Sequence, residues 1–141
     1  MTRENAIIEK NRNIENSKSY YNSVIEDMKI FYNNNEEEND LDLFNYFLEV
    51  SIIEDKNLGD YDNNKVIRFL KAWGGPSYEF RYNPLNKKLN FVYMDWGYRQ
   101  DKQILDLDST YDIIMSVLNQ VTDIEELYAQ ILESYIEKLR S

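Results

Sequence analysis

The 141-residue chain contains no cysteine and no histidine. Without cysteine, the protein has no disulfide framework, no thiolate metal site and no thiol nucleophile. Without histidine, serine–histidine triads and the usual zinc ligands are excluded as well. The chemistry that remains open is that of carboxylates, either as a pair of acids or around Mg²⁺. We therefore expect no cofactor, no metal and no enzymatic activity, and a function in binding another macromolecule.

Long apolar runs are also missing. No stretch approaches the roughly 18 apolar residues that a membrane-spanning helix needs, and no apolar signal core follows the first residues. A chain without cysteine is also compatible with a reducing compartment. These features predict a soluble, cytoplasmic protein that does not contact a membrane.

Negative charge is abundant and unevenly distributed. The formal net charge is −10, and residues 36–62 alone contain ten acidic side chains and one lysine, whereas residues 63–102 are mildly basic. Such a charge argues against direct binding to nucleic acid or to an anionic membrane, because like charges repel. It favours a basic protein partner, or serves solubility alone.

Two acidic clusters within residues 36–62 are the candidate partner-binding side chains. We interpret them as a patch that imitates the phosphate spacing of a duplex, as a DNA mimic does, or that docks on a basic groove. The alternative is a pair of solvated acidic loops. The candidate residues are Glu36, Glu37, Glu38, Asp40, Asp42, Glu54, Asp55, Asp60 and Asp62.

Helical periodicity marks both ends of the chain. Residues 4–32 follow the spacing of a long amphipathic helix, which the asparagines at 33–35 end. Two further helices are predicted over 109–121 and 123–139, the second beginning at a capping box formed by Thr122 and Glu125.

The middle of the chain alternates apolar and polar residues, as strands do. All four glycines and both prolines lie between residues 59 and 97, which suits tight turns. Asp40 or Asp42 can cap a short helical turn before the first strand. The predicted strands cover residues 48–53, 65–73, 77–83, 88–96 and 98–105.

Together these elements predict an α+β fold. An antiparallel meander sheet of four to five strands is packed by a C-terminal two-helix hairpin, with a long N-terminal helix. We expect one domain over residues 1–141, with the N-terminal helix in 1–35, the sheet in 43–105 and the helical hairpin in 108–141.

Two local patterns allow other interpretations. Glu54-Asp55-Lys56 is similar to the acid-x-Lys element of metal-dependent nucleases, with Asp40 or Asp42 as the upstream acid, although the net charge would repel a nucleic-acid substrate. Asp95-Trp96 at a strand end is another possible site, and we interpret Asp95 as a turn-capping acid beside a core indole, that of Trp96. Most other aromatic residues of the sheet segment are expected to pack in the core, and a subset could anchor a protein interface.

A resemblance covers about 55 residues, from Leu43 to Gly97. It depends on three short elements: Phe44-Asn45-Tyr46-Phe47, Trp73-Gly74-Gly75-Pro76 and Asp95-Trp96-Gly97. On these the chain resembles small accessory proteins of phages and other mobile elements of low-GC bacteria, which include acidic anti-restriction and anti-CRISPR inhibitors. The resemblance implies an anti-defence inhibitor and supplies no functional residue.

Three functions follow from these observations. The first is a non-enzymatic acidic inhibitor that binds the basic nucleic-acid channel of a bacterial defence nuclease, such as a CRISPR effector. The second is an immunity protein that neutralises a cationic toxin. The third is a homodimeric adaptor that pairs through its N-terminal helix.

Overall fold

The computed structural model describes residues 2–59 and 63–141 and has an α+β fold. A long helix is followed by two short 3₁₀ turns, Glu37–Asn39 and Leu43–Asn45, then by a sheet and two further helices. The helices and strands are α1 (Arg3–Tyr32), β1 (Glu49–Glu54), β2 (Lys65–Ala72), β3 (Ser77–Asn83), β4 (Lys88–Asp95), β5 (Tyr98–Ile104), α2 (Ser109–Val121) and α3 (Ile124–Arg140).

Within the described residues, the five strands form a meander in the order β1-β2-β3-β4-β5, with every neighbouring pair antiparallel. Side chains alternate between the two faces, as the period of a strand requires. One cross-strand row is aromatic, with Phe69, Phe80 and Phe91 in register. The adjacent row, on the opposite face, is polar and contains Arg68, Arg81 and Asn90. The sheet therefore has an apolar face and an opposite face, here called the polar face, on which these polar side chains alternate with the buried Val66, Leu70 and Val92.

The helices cover the apolar face. Met28 and Phe31 of α1 are completely buried, and the ring of Tyr20 stacks on that of Tyr78 with 4.6 Å between centroids. The apolar stripe of α2 and Ile131 of α3 belong to the same core cluster. Each fully buried aliphatic or aromatic side chain stabilises the fold by about 1.5–3 kcal/mol, so this layer supplies most of the stability.

The sequence-based prediction of this architecture is confirmed, and each helix or strand boundary agrees to within one residue. The predicted capping box is wrong. The N-cap of α3 is Asp123, whose carboxylate accepts a hydrogen bond from the Glu126 N–H at 3.2 Å. Thr122 still donates its N–H to the Leu118 carbonyl and so belongs to the end of α2.

The first three turns of α1 lie outside the core. Thr2 caps the helix by accepting a hydrogen bond from the Asn5 N–H, and residues 3–12 are all exposed. Among the described residues, no helix combines the length and the apolar character that crossing a bilayer requires.

Candidate functional site

Strand β1 separates the candidate acidic residues into two groups. The acidic segment, defined as residues 36–42 with Glu36, Glu37, Glu38, Asp40 and Asp42, precedes β1, whereas Glu54 ends the strand and Asp55 follows it. A six-residue strand spans about 17 Å at roughly 3.3 Å per residue. Asp60 and Asp62 lie outside the described residues. The described candidates therefore do not form one patch.

Asp55 is buried and neutralised. Its side chain is 1% exposed, and its Oδ2 accepts hydrogen bonds from Arg81 Nη1 at 2.9 Å and Arg99 Nη2 at 3.0 Å. Burial alone would raise the pKa of Asp55, but these two bonds and one from the Asn57 N–H outweigh it and hold the pKa below its usual value. Asp55 therefore has no place in an exposed acidic patch, contrary to expectation.

Further ion pairs extend from Asp55 across the polar face of the sheet. Arg81 Nε also bonds Glu79 Oε2 at 2.7 Å, and this carboxylate is completely buried. At the two sides of the network, Arg68 pairs with Glu49 at 2.8 Å, and Arg99 pairs with Asp101 at 2.7 Å. These arginines neutralise neighbouring acids. The network fixes the start of the β1–β2 connection against β3 and β5.

The acidic segment has a different environment. Glu37, Glu38, Asp40 and Asp42 are exposed and Glu36 is half-buried. Among the described residues, no lysine or arginine forms an ion pair with any of these five carboxylates. Asp42 caps the second 3₁₀ turn, as predicted, by accepting hydrogen bonds from the Phe44 N–H at 3.0 Å and from Asn45 Nδ2 at 2.6 Å. The other four carboxylates are free to meet a partner.

Large apolar side chains are exposed at the end of the sheet that follows the acidic segment in the chain. They lie at the hairpin end, defined as the end of the sheet formed by residues 43–48, the β2–β3 turn at 73–76 and the β4–β5 turn at 96–97. Antiparallel pairing brings these three segments to the same end. The exposed fractions are 97% for Phe44, 63% for Leu48, 70% for Trp73 and 96% for Trp96.

Trp96 was expected to be a core indole, and that expectation is wrong, whereas Trp73 belongs to the exposed subset of the sheet-segment aromatics. Trp73 follows the last residue of β2 and Trp96 follows the last residue of β4, so neither shares the sheet face that the helices cover. Each stands next to a glycine, and a tryptophan-glycine pair at the boundary of a predicted strand is the signal that could have placed both in turns.

The β4–β5 turn has an unusual residue at its tip. Asp95 pairs with Tyr98, and the two residues between them have positive φ angles, 47° for Trp96 and 84° for Gly97. This is the geometry of a type I′ turn, in which asparagine, aspartate and glycine are preferred. A Cβ atom on Gly75 of the β2–β3 turn would lie 3.4 Å from Trp96 Nε1, so the two turns lie against each other.

A groove separates the exposed half of α1 from the β4–β5 turn. Its cavity volume is about 380 Å³. Glu9, Lys10 and Arg12 line it on the α1 side, and Asp95 and Trp96 line it on the side of the turn. Glu9 and Arg12 pair with each other at 3.6 Å, whereas no lysine or arginine of the described chain pairs with Asp95.

The structure does not assemble the acid-x-Lys constellation of a nuclease. Asp40 and Asp42 lie before β1 and Glu54-Asp55 at its far end, and Asp55 is held by arginines. Among residues 2–59 and 63–141, no group of three or more acidic side chains is arranged to hold a metal ion. Carboxylates separated by a full strand cannot share one cation.

No protein-family model, curated protein or solved structure matches the chain. The resemblance to accessory proteins of phages and mobile elements therefore stays a prediction. The three elements on which it depends do meet in space, since residues 44–47, 73–76 and 95–97 all lie at the hairpin end. Of their aromatic side chains, Tyr46 and Phe47 are buried, whereas Phe44 and both tryptophans are exposed.

Proposed function

We propose that the chain is a binding protein without catalytic activity, and that it docks on a basic protein surface through the acidic segment and the hairpin end. The class that we favour is an inhibitor occupying the nucleic-acid channel of a bacterial defence nuclease, such as a CRISPR effector. The observation that carries the proposal is that the carboxylates of residues 36–42, which have no ion pair among the described residues, directly precede in the chain the segment with exposed Phe44 and Leu48.

The chemistry of such a channel complements this surface. Channels for single-stranded nucleic acid combine lysines and arginines, which follow the phosphates, with aromatic side chains on which bases stack. The acidic segment offers negative charge in place of phosphates, and Phe44 offers an exposed ring in place of a base. Charge complementarity accelerates association and makes it sensitive to salt, while a few exposed aromatic anchors supply much of the binding energy.

A charge-reversal pair of variants tests the proposal. The test variant reverses four acids of the acidic segment and retains Asp42, because that side chain caps a turn. The control variant reverses four exposed acids elsewhere, so that both variants change the net charge of −10 by the same amount. The test substitutions are Glu36→Lys, Glu37→Lys, Glu38→Lys and Asp40→Lys. The control substitutions are Glu15→Lys, Asp106→Lys, Glu133→Lys and Glu137→Lys.

The assay is inhibition of DNA cleavage by a panel of purified CRISPR effectors and cationic toxin nucleases, at low and at high salt. We expect wild-type protein to inhibit at least one enzyme. The test variant should be weaker by about 100-fold or more, because each close charge pair contributes on the order of 1 kcal/mol even in water. The control variant should stay within about threefold of wild type.

The outcomes separate the candidates. Equal inhibition by the two variants contradicts a role for the acidic segment, and no inhibition of any enzyme contradicts the inhibitor class. Inhibition confined to toxin nucleases would support an immunity protein instead. An immunity protein would bind through the same acidic surface, so only the class of enzyme inhibited separates the two candidates. Circular dichroism melts of both variants show whether the fold is retained.

One observation favours the homodimeric adaptor as a second candidate. Ile7 and Ile8 are 52% and 63% exposed on the part of α1 that lies outside the core. A second copy could cover these side chains by helix pairing. Light scattering of wild type and of the double variant Ile7→Glu, Ile8→Glu tests this, because a dimer should become a monomer. A wild-type monomer at high concentration contradicts it.

A further inference from the structure

Trp96 has a strained backbone conformation and gains no burial in return. Its φ of 47° lies in the left-handed region, which a bulky side chain adopts at a cost in conformational energy. Its side chain is 96% exposed, so the indole gains almost nothing from removal of apolar surface from water. Residues with strained backbone conformations are often found at functional sites. This points to a role for Trp96 outside folding.

The indole of Trp96 lies next to the β2–β3 turn. The absence of a side chain on Gly75 leaves room for the indole nitrogen, because a Cβ there would come within 3.4 Å of Nε1 and within 3.8 Å of Asp95 Oδ1. The indole thus lies with its nitrogen edge toward the β2–β3 turn, while the ring surface remains open to solvent. Asp95, the residue before it, places a carboxylate at the same turn.

An exposed indole beside a carboxylate is suited to a cation. The face of tryptophan attracts a cation more strongly than that of any other side chain, and arginine is the more frequent partner because its guanidinium is planar and weakly hydrated. A carboxylate next to the ring can accept hydrogen bonds from the same guanidinium. Lys10 and Arg12 also line the groove. Glu9 pairs with Arg12, and no ion pair of Asp95 is present among the described residues, so Asp95 can accept a ligand's cation in competition with Lys10.

We propose that Trp96 and Asp95, at the mouth of the groove beside α1, form an anchoring site for an arginine side chain of the basic partner. This inference rests on the proposed function and names the chemistry that the hairpin end recognises. The partner's arginine stacks on the indole, and the acidic segment contacts the basic surface around it.

Two peptides of equal charge test the anchoring site, nona-arginine and nona-lysine. The chain has two tryptophans, so a ¹H–¹⁵N spectrum contains two indole Nε1–H signals, and the variant Trp73→Ala assigns them. We expect the Trp96 signal to move in a saturable manner with nona-arginine and much less with nona-lysine. The Trp73 signal comes from the same end of the sheet, and with nona-arginine it should move less than the Trp96 signal.

The variant Trp96→Asn separates binding from folding, because asparagine is a preferred residue at this turn position. Its melting temperature should be equal to or higher than that of wild type. Its affinity for nona-arginine, measured by calorimetry, should fall about fivefold, as expected for one cation–π contact, and its affinity for nona-lysine should change less than twofold. Full-strength binding of nona-arginine by Trp96→Asn overturns the anchoring site.

The outcome also distinguishes this inference from the proposed function. If Trp96→Asn binds nona-arginine normally but the fourfold reversal of the acidic segment does not, the surface binds basic partners by charge alone. In that case the anchoring site is wrong and the proposed function stands. If neither the Trp96→Asn substitution nor the fourfold reversal weakens binding, the anchoring site and the proposed function are both wrong.

Discussion

Replacement of Arg81 by methionine should destabilise the fold through the buried ion pairs. The Arg81 side chain is 9% exposed and pairs with Glu79 and Asp55, whose side chains are 0% and 1% exposed. Methionine keeps most of the apolar stem and removes the guanidinium, with its charge and its hydrogen-bond donors. Loss of one partner from a buried pair costs about 3–5 kcal/mol.

The remaining partners place the expected cost at the lower end of that range. After the substitution, Asp55 still has Arg99 at 3.0 Å, and Glu79 still has Arg68 at 4.0 Å. We therefore expect Arg81→Met to lower the free energy of unfolding by about 3 kcal/mol at pH 7. Arg68→Met is the matched control. Its main partner Glu49 is 53% exposed, so its loss should cost at most about 1 kcal/mol.

The pH dependence gives a second criterion. Because the folded-state pKa of Asp55 is lowered, its stabilisation is fully present above the unfolded-state pKa near 4 and is lost as the pH falls through the folded-state value. Arg81→Met has already lost part of that stabilisation. The difference in the free energy of unfolding between wild type and variant should therefore become smaller as the pH is lowered from 7 to about 3.

Urea unfolding followed by far-ultraviolet circular dichroism measures both quantities. Tryptophan fluorescence is the poorer probe, because Trp73 and Trp96 are already exposed in the folded protein. A loss below about 1 kcal/mol at pH 7, or a difference that widens toward acid, would refute the assignment of Arg81 as the centre of the network.

Two further predictions concern single hydrogen bonds. Asp123→Ala should lower the free energy of unfolding by about 1 kcal/mol and Thr122→Ala by much less, because Asp123 caps α3. Equal losses in the two variants, measured by urea unfolding, would contradict this. Tyr46→Phe should cost about 1.5 kcal/mol, because the buried hydroxyl donates to Asp27 Oδ2 at 2.7 Å. Burial, and then Asp27, raise the pKa of Tyr46, so wild type should lose stability as the pH rises above about 10 and the variant should lose less. A parallel decline in both proteins would contradict the role of Tyr46.

The fold could be predicted because its signals are local. Alternation with a period of two marks the strands, and the rows that it predicts are those that face the helices. The sequence-based prediction was wrong at residues whose apolar character suggested a strand but whose neighbours in the chain form a turn. Trp73 and Trp96 are apolar, so the sequence pattern included them in the predicted strands, but the adjacent glycines place them in turns. The cap of α3 shifted by one residue because the N–H of Thr122 is already used by α2.

The candidate site could be predicted only in part. A run of acids such as residues 36–42 resists burial, so its exposure follows from the sequence. The burial of Asp55 does not follow, because its partners Arg81 and Arg99 are 26 and 44 residues away in the chain. An acidic residue after a strand can be exposed to solvent or buried in an ion pair. For Asp55 the tertiary register of β3 and β5 decides, because it brings Arg81 and Arg99 to the carboxylate. The same register brings the turns of the hairpin end together.

The central claim is that the hairpin end and the acidic segment form the surface on which a basic partner docks. A map of backbone amide shift changes during titration with nona-arginine tests it most directly. We predict that the changes are concentrated in residues 36–48, 73–76 and 95–98, and that residues 84–88 at the opposite end of the sheet stay unchanged. Changes centred on the opposite end, or spread evenly over the exposed acids of α2 and α3, would contradict the claim.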